Sequence, residues 1–125
     1  MGIKLNHTII QAKNAEESAK FLAEILGLAS PTSFGPFIVV KTENEVSLDF
    51  RTTSDEIKPR HFAFIVSEAE FCEIFNRITQ KQLMYWADPS RTKPQKINNN
   101  DGGRGCYFLD PNGHFLEIIT RPYGS

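Results

Sequence analysis

Cysteine is nearly absent from this 125-residue chain. Two thiols cannot build a disulfide framework of any size, which makes a reducing, cytoplasmic setting the expectation. No apolar run approaches the ~20 residues that cross a bilayer. The opening Met1-Gly2-Ile3-Lys4-Leu5-Asn6-His7 has no apolar stretch of secretory type. Asn6 stands where a myristoylation motif places Ser or Thr. Neither charge sign is in excess: 14 Lys+Arg face 15 Asp+Glu, a net charge of −1. Membrane insertion and sequence-wide attraction to nucleic acid are thereby set aside, and a small-molecule or protein partner remains. Phenylalanine, by contrast, is plentiful. Ten Phe in a chain 40% apolar and 23% charged suit one globular domain over 1–125 and exclude disorder.

The chain is organised as one plan written twice. A short β-rich segment, Lys4-Leu5-Asn6-His7-Thr8-Ile9-Ile10, leads into a helix expected over Ala15–Leu26, with Phe21, Leu22, Ile25 and Leu26 at helical spacing. Asn14 is a suitable N-cap with Glu17 three residues on, and Gly27 suits the position after the helix. The second copy opens with Arg60-His61-Phe62-Ala63-Phe64-Ile65-Val66, and Ser67 with Glu70 forms another capping box before Phe71, Ile74, Phe75 and Ile78. The first strands match at an offset of 54, which carries His7 onto His61. Further strands are expected at 28–33, 37–41 and 45–52, then at 83–87, 104–109 and 114–120. The last strands match at an offset of 68, carrying Asp49 onto Glu117. The excess of 14 residues equals the polar segment 88–101, which reads as a loop inserted into the second copy. The fold class expected is α+β, two βαβββ repeats at about 1–54 and 58–121.

Histidine is scarce too, and two of the three, His7 and His61, occupy equivalent strand positions. Asp49 and Glu117 are equivalent as well, each flanked by apolar residues. Strand alternation turns Leu48 and Phe50 away from Asp49, and Leu116 and Ile118 away from Glu117. Both carboxylates are therefore expected on the sheet face opposite the helices, with His61 on that same side. Two imidazoles and one or two carboxylates converging in a concave sheet make a site for a divalent metal with open positions. Such donors suit Zn, Ni, Co, Mn or Fe better than Ca. His114 lies three residues from Glu117 and faces away, a structural or surface position. Taken singly, a strand His or a strand carboxylate is usually an ordinary polar residue; the repeat is what groups these four.

Paired βαβββ units, a His in the first strand of each, a carboxylate in the last strand of each, and the closing Asp110-Pro111-Asn112-Gly113-His114-Phe115-Leu116-Glu117 resemble the vicinal oxygen chelate superfamily. That group includes glyoxalase I, fosfomycin-resistance thiol transferases, extradiol dioxygenases and bleomycin-binding proteins. The resemblance implies one glyoxalase-like domain with a concave mixed sheet. It places His7, Asp49, His61 and Glu117 on the metal-ligand positions. It also implies Lewis-acid chemistry on two neighbouring oxygens of a small substrate, and a homodimer. The activity implied first is that of a glyoxalase-type lyase or isomerase, with Glu117 or Asp49 as general base. An Fe(II) extradiol-type dioxygenase and a non-catalytic drug- or metabolite-binding protein are the alternatives. Asp49 is shorter than the Glu usual in glyoxalase I-like members, and Gln11 stands where glyoxalases often place an Arg that anchors glutathione.

Arg104, Tyr107 and Arg121 are candidate substrate-binding residues. Arg104 follows Asp101-Gly102-Gly103, either a hinge that brings its guanidinium over the site or a plain loop end. Arg121-Pro122-Tyr123 reads first as an ordinary C-terminal tail, with closure of the pocket as the alternative. Cys72 and Cys106 read as buried small hydrophobes.

Overall fold

Each half of the chain folds in the order strand, helix, three strands. The computed structural model describes residues 2–124. In the first half these are β1 (His7–Ala12), α1 (Ala15–Leu26), β2 (Thr32–Phe34), β3 (Phe37–Lys41) and β4 (Ser47–Thr52). The second half contains β5 (His61–Ile65), α2 (Glu68–Gln80), β6 (Tyr85–Trp86), β7 (Gly105–Leu109) and β8 (Phe115–Ile119). The chain divides into two compact units, Met1–Lys58 and Pro59–Ser125, each with one four-stranded mixed sheet. The strand orders are β1-β4-β3-β2 and β5-β8-β7-β6, the same order in each half, as an α+β repeat requires.

Helix bounds follow the caps. The Asn14 side chain accepts the amide hydrogen of Glu17, and Gly27 closes α1 in the left-handed region at φ 72°, where a residue without Cβ is unstrained. At α2 the Ser67 hydroxyl and the Glu70 carboxylate each accept the other's backbone N–H, a reciprocal box. The apolar stripe of α1 buries Leu22 and Ile25 and packs on β1, β3 and β4. That of α2 buries Phe71, Ile74 and Ile78, with Phe75 stacked on Phe71 and edge-on to Tyr85. Fully burying side chains of this size stabilises by about 1.5–3 kcal/mol each.

Strand pairing fixes the rest. β1 runs parallel to β4 from His7↔Ser47 to Ala12↔Thr52, so the strand begins and ends two or three residues later than composition suggests. β2 and β6 are shorter than expected, pairing with β3 and β7 over three and two residues. Segment 88–101 is not a bare loop. It makes single bridges Trp86↔Pro94 and Asn98↔Gly105, and the Asp88 carboxylate gathers the amides of Thr92 and Lys93. A 3₁₀ turn, Asn100–Gly102, ends it. Among the described residues no helix is long and apolar enough to cross a membrane.

Candidate functional site

The register repeats between the halves, and that repetition builds the site. In the first half Ile9 pairs with Asp49, and in the second Ala63 pairs with Glu117. His7 and His61 each stand two residues before that partner, so alternation puts imidazole and carboxylate on the same face of their sheet. On the other side of the carboxylate strand the halves differ: Tyr107 pairs with Glu117, whereas Val39 pairs with Asp49.

In the second unit the pair is closed. Glu117 is 1% exposed, and its Oε1 lies 3.0 Å from Nε2 of His61. Leu116 and Ile118 are buried on the opposite face, which leaves the carboxylate no route to solvent on that side. The Tyr123 hydroxyl donates to Oε2 of Glu117, and the hydroxyls of Tyr107 and Tyr123 are 3.1 Å apart. With Tyr123 donating to the carboxylate, Tyr107 supplies the hydrogen of the second bond. Burial, first, and then the bonds to Tyr123 and Glu117 hold the Tyr107 phenol well above its usual range. Burial and the Glu117 carboxylate raise Tyr123 as well. His61, Pro89, Tyr107, Phe115 and Tyr123 line a hollow of about 320 Å³. Its walls are aromatic and apolar, with an imidazole and two phenols as the polar groups, the composition of a small-molecule pocket.

In the first unit His7 and Asp49 line a second hollow of about 510 Å³, with Asn6, Phe34, Lys41 and Ser47 among its other walls. His7 is exposed, and its Nδ1 lies 2.8 Å from Oδ1 of Asn6. Asp49 is 9% exposed, and its Oδ1 finds no hydrogen-bond partner among the described residues. A buried carboxylate oxygen without a donor is costly, and it is the kind of atom a cation satisfies. Imidazole nitrogen with carboxylate oxygen is the donor chemistry of Zn, Ni, Co, Mn and Fe sites. Neither unit by itself gathers three His, Cys, Asp or Glu side chains into a metal-binding cluster among the described residues.

A model of the "Glyoxalase/Bleomycin resistance protein/Dioxygenase superfamily" matches residues 4–118. The chain belongs to this superfamily. A solved structure described as "Oxidase ChaP-H1" is 56% identical, with a TM-score of 0.97, covering 99% of this chain and 100% of that one. Among curated proteins, the glutathione transferase FosA of Serratia marcescens is 27% identical, over 91% of this chain and 78% of its own. The metallothiol transferase FosB of Lysinibacillus sphaericus (strain C3-41) is 25% identical, over 93% of this chain and 81% of its own.

Within this superfamily fold, the other candidate residues are placed as follows. Tyr107 lines the aromatic hollow of the second unit. Arg104 is engaged elsewhere, with α2: its guanidinium donates to Glu68 Oε1 at 2.7 Å and to the Glu68 carbonyl at 3.1 Å. It also lies 4.5 Å over the Phe71 ring. Arg121 lies along Gly102 and Gly103. His114 is buried and structural: its Nδ1 accepts the backbone N–H of Arg60, and Phe62 meets it edge-on. Cys106 is buried, and burial pushes its thiol up to about 12. Cys72 is exposed, which corrects its reading as a buried small hydrophobe: it lies outside the stripe of Phe71, Ile74 and Ile78, with the Arg104 guanidinium 3.2 Å from its Sγ. Two wall residues, Phe115 and Pro89, escaped sequence reasoning, and Tyr123 was named there only within a tail. Phe115 was detectable, being two residues before Glu117 and so on its face. Pro89 and Tyr123 carry no periodic signal, since one lies in the inserted segment and the other beyond the last strand.

Proposed function

We propose that the chain is a metal-dependent oxidase acting on a small, oxygen-rich substrate. The observation that carries this reading is the His61–Glu117 pair, a fully buried carboxylate 3.0 Å from an imidazole at the wall of an aromatic hollow. The 56% identity to a protein described as an oxidase, along the whole chain, gives the direction of the chemistry. His7, His61 and Glu117 are proposed as metal ligands, with Asp49 as a weaker fourth. A divalent metal bound by them would supply Lewis acidity and, if iron, one-electron chemistry. The chain's own groups do the remainder. Phe115, Pro89 and the Tyr107 ring wall the substrate's place, and the Tyr107 hydroxyl, its hydrogen given to Tyr123, offers a lone pair to a substrate hydroxyl. A homodimer in the cytoplasm completes the proposal.

A second reading, a glyoxalase-type lyase or isomerase, is favoured by Glu117 itself, since a buried carboxylate beside an imidazole can serve as a general base. One experiment separates the two. Protein purified without chelator is assayed for metal, then loaded anaerobically with Fe(II), Co(II), Ni(II) or Zn(II) in turn. Oxygen uptake is followed with catechols, and isomerisation with hemithioacetals. Iron-dependent oxygen uptake supports the oxidase. Conversion of hemithioacetals with Ni(II) or Zn(II) and no oxygen uptake supports the lyase. His61→Ala should lower metal content several-fold; unchanged occupancy would remove this histidine from the ligand set.

A further inference from the structure

The chain's last residues return to the Glu117 carboxylate, and they do so over a seat made of glycine. Thr120 and Arg104 hold one another twice: the Arg104 amide donates to the Thr120 hydroxyl at 2.8 Å, and the Thr120 amide to the Arg104 carbonyl at 2.9 Å. Arg121 then crosses Gly103, where an added Cβ would stand 2.5 Å from the Thr120 hydroxyl and 2.8 Å from Cγ of Arg121. Only a residue without a side chain leaves that path open. The Gly124 amide is fastened to the Asp101 carboxylate at 3.3 Å. Between these fixings, Tyr123 projects its hydroxyl onto Oε2 of Glu117. Tyr123 is 61% exposed, so burial of its ring does not account for where it sits. The hydroxyl contact does.

We propose that Tyr123 is a positioning residue for the metal-ligating carboxylate, and that Gly103 is the seat that delivers it. The proposal rests on the reading of Glu117 as a ligand. A carboxylate has two oxygens, and which of them is free decides how it can bind. Oε2 is occupied by the Tyr123 hydroxyl, which is itself oriented by Tyr107. Oε1 faces His61, the neighbouring donor. Glu117 is thereby presented through one oxygen, which leaves room on a shared cation for two substrate oxygens. Without the phenol, both carboxylate oxygens are free to chelate and the ligand loses its fixed orientation. Outer partners of this type commonly contribute about 10-fold or more in metal affinity.

The test uses Co(II) alone as probe on the full chain, read by d–d absorption and by titration, with circular dichroism and Tm confirming that each variant is folded. Tyr123→Phe removes the hydroxyl and keeps the ring. Gly103→Ala lifts the tail from a distant point. The wild-type protein should bind Co(II), and both variants should bind it about 10-fold more weakly. They should share a weaker d–d band, the sign of a raised coordination number. Wild-type affinity and an unaltered band in Tyr123→Phe would overturn the proposal. A wild-type protein that binds no Co(II), or a Glu117→Gln variant that binds it equally well, would instead sink the underlying metal reading, and the inference with it.

Discussion

The Asp49 carboxylate allows the sharpest test of the energetics. Its Oδ1 is buried with no hydrogen-bond partner among the described residues, between Ile9 on one neighbouring strand and Val39 on the other. An unsatisfied buried acceptor costs about 1–3 kcal/mol. Asp49→Val removes the acceptor, keeps the volume similar, and places a β-branched side chain between two of its own kind. In the presence of EDTA the variant should therefore be more stable than wild type by about 1–3 kcal/mol in urea denaturation. For a chain of this length that corresponds to a Tm higher by roughly 4–12 °C. Asp49→Asn, which keeps an oxygen in the same place, should gain less. Metal narrows that lead by offsetting part of it. At a free metal concentration about 100 times Kd, wild type gains about 2.7 kcal/mol, and a variant with a tenfold weaker site gains about 1.4 kcal/mol less. A metal-free Asp49→Val protein that is less stable than wild type by 1 kcal/mol or more would refute the reasoning, because the carboxylate would then be satisfied where it lies.

Other outcomes follow from the same geometry. Ser67→Ala opens the capping box of α2 and should cost about 1 kcal/mol in chemical denaturation, with Ser67→Asp restoring most of it. His114→Leu leaves the Arg60 amide without its acceptor and should cost about 1–3 kcal/mol, with the far-UV spectrum retained. A thiol reagent at pH 8 should modify one cysteine, Cys72, in the folded protein and two after denaturation; two fast thiols would contradict the burial of Cys106. The Cys106 thiol is raised from 9.0 to about 12 on folding. Its contribution to stability is complete below pH 9 and disappears as pH rises through 9 to 12, since the unfolded chain ionises first. Cys106→Ala should flatten that part of the pH–stability curve.

Much of this arrangement was legible in the residues because local signals agreed. Asn14 and Gly27 bracket α1 at the bounds expected, and the offset between His7 and His61 anticipates two sheets of like order. The equivalence of Asp49 and Glu117 led to the carboxylates, and alternation put His61 on the face of Glu117, where it lies within hydrogen-bond distance. What escaped has a common cause. The start of β1, the shortness of β2 and β6, the exposure of Cys72 and the bond from the Tyr123 hydroxyl to Glu117 all depend on contacts that periodicity does not show. Arg104 shows this most clearly: a cation after a glycine pair can swing either way, and the side chains of Glu68 and Phe71, more than thirty residues earlier, decide that it joins α2.

The strand orders carry a consequence for how the proposed ligands move. Asp49 and Glu117 ride on β4 and β8, which are laced by main-chain bonds on both flanks, while His7 and His61 ride on β1 and β5, the outermost members of their sheets. Interior strands open last and border strands first. The anionic donors thus form a stationary anvil, and the imidazoles are the adjustable jaws. Amide exchange slow around Glu117 and quicker at His61 would be its fingerprint, and an incoming ion would quieten the histidine strands most.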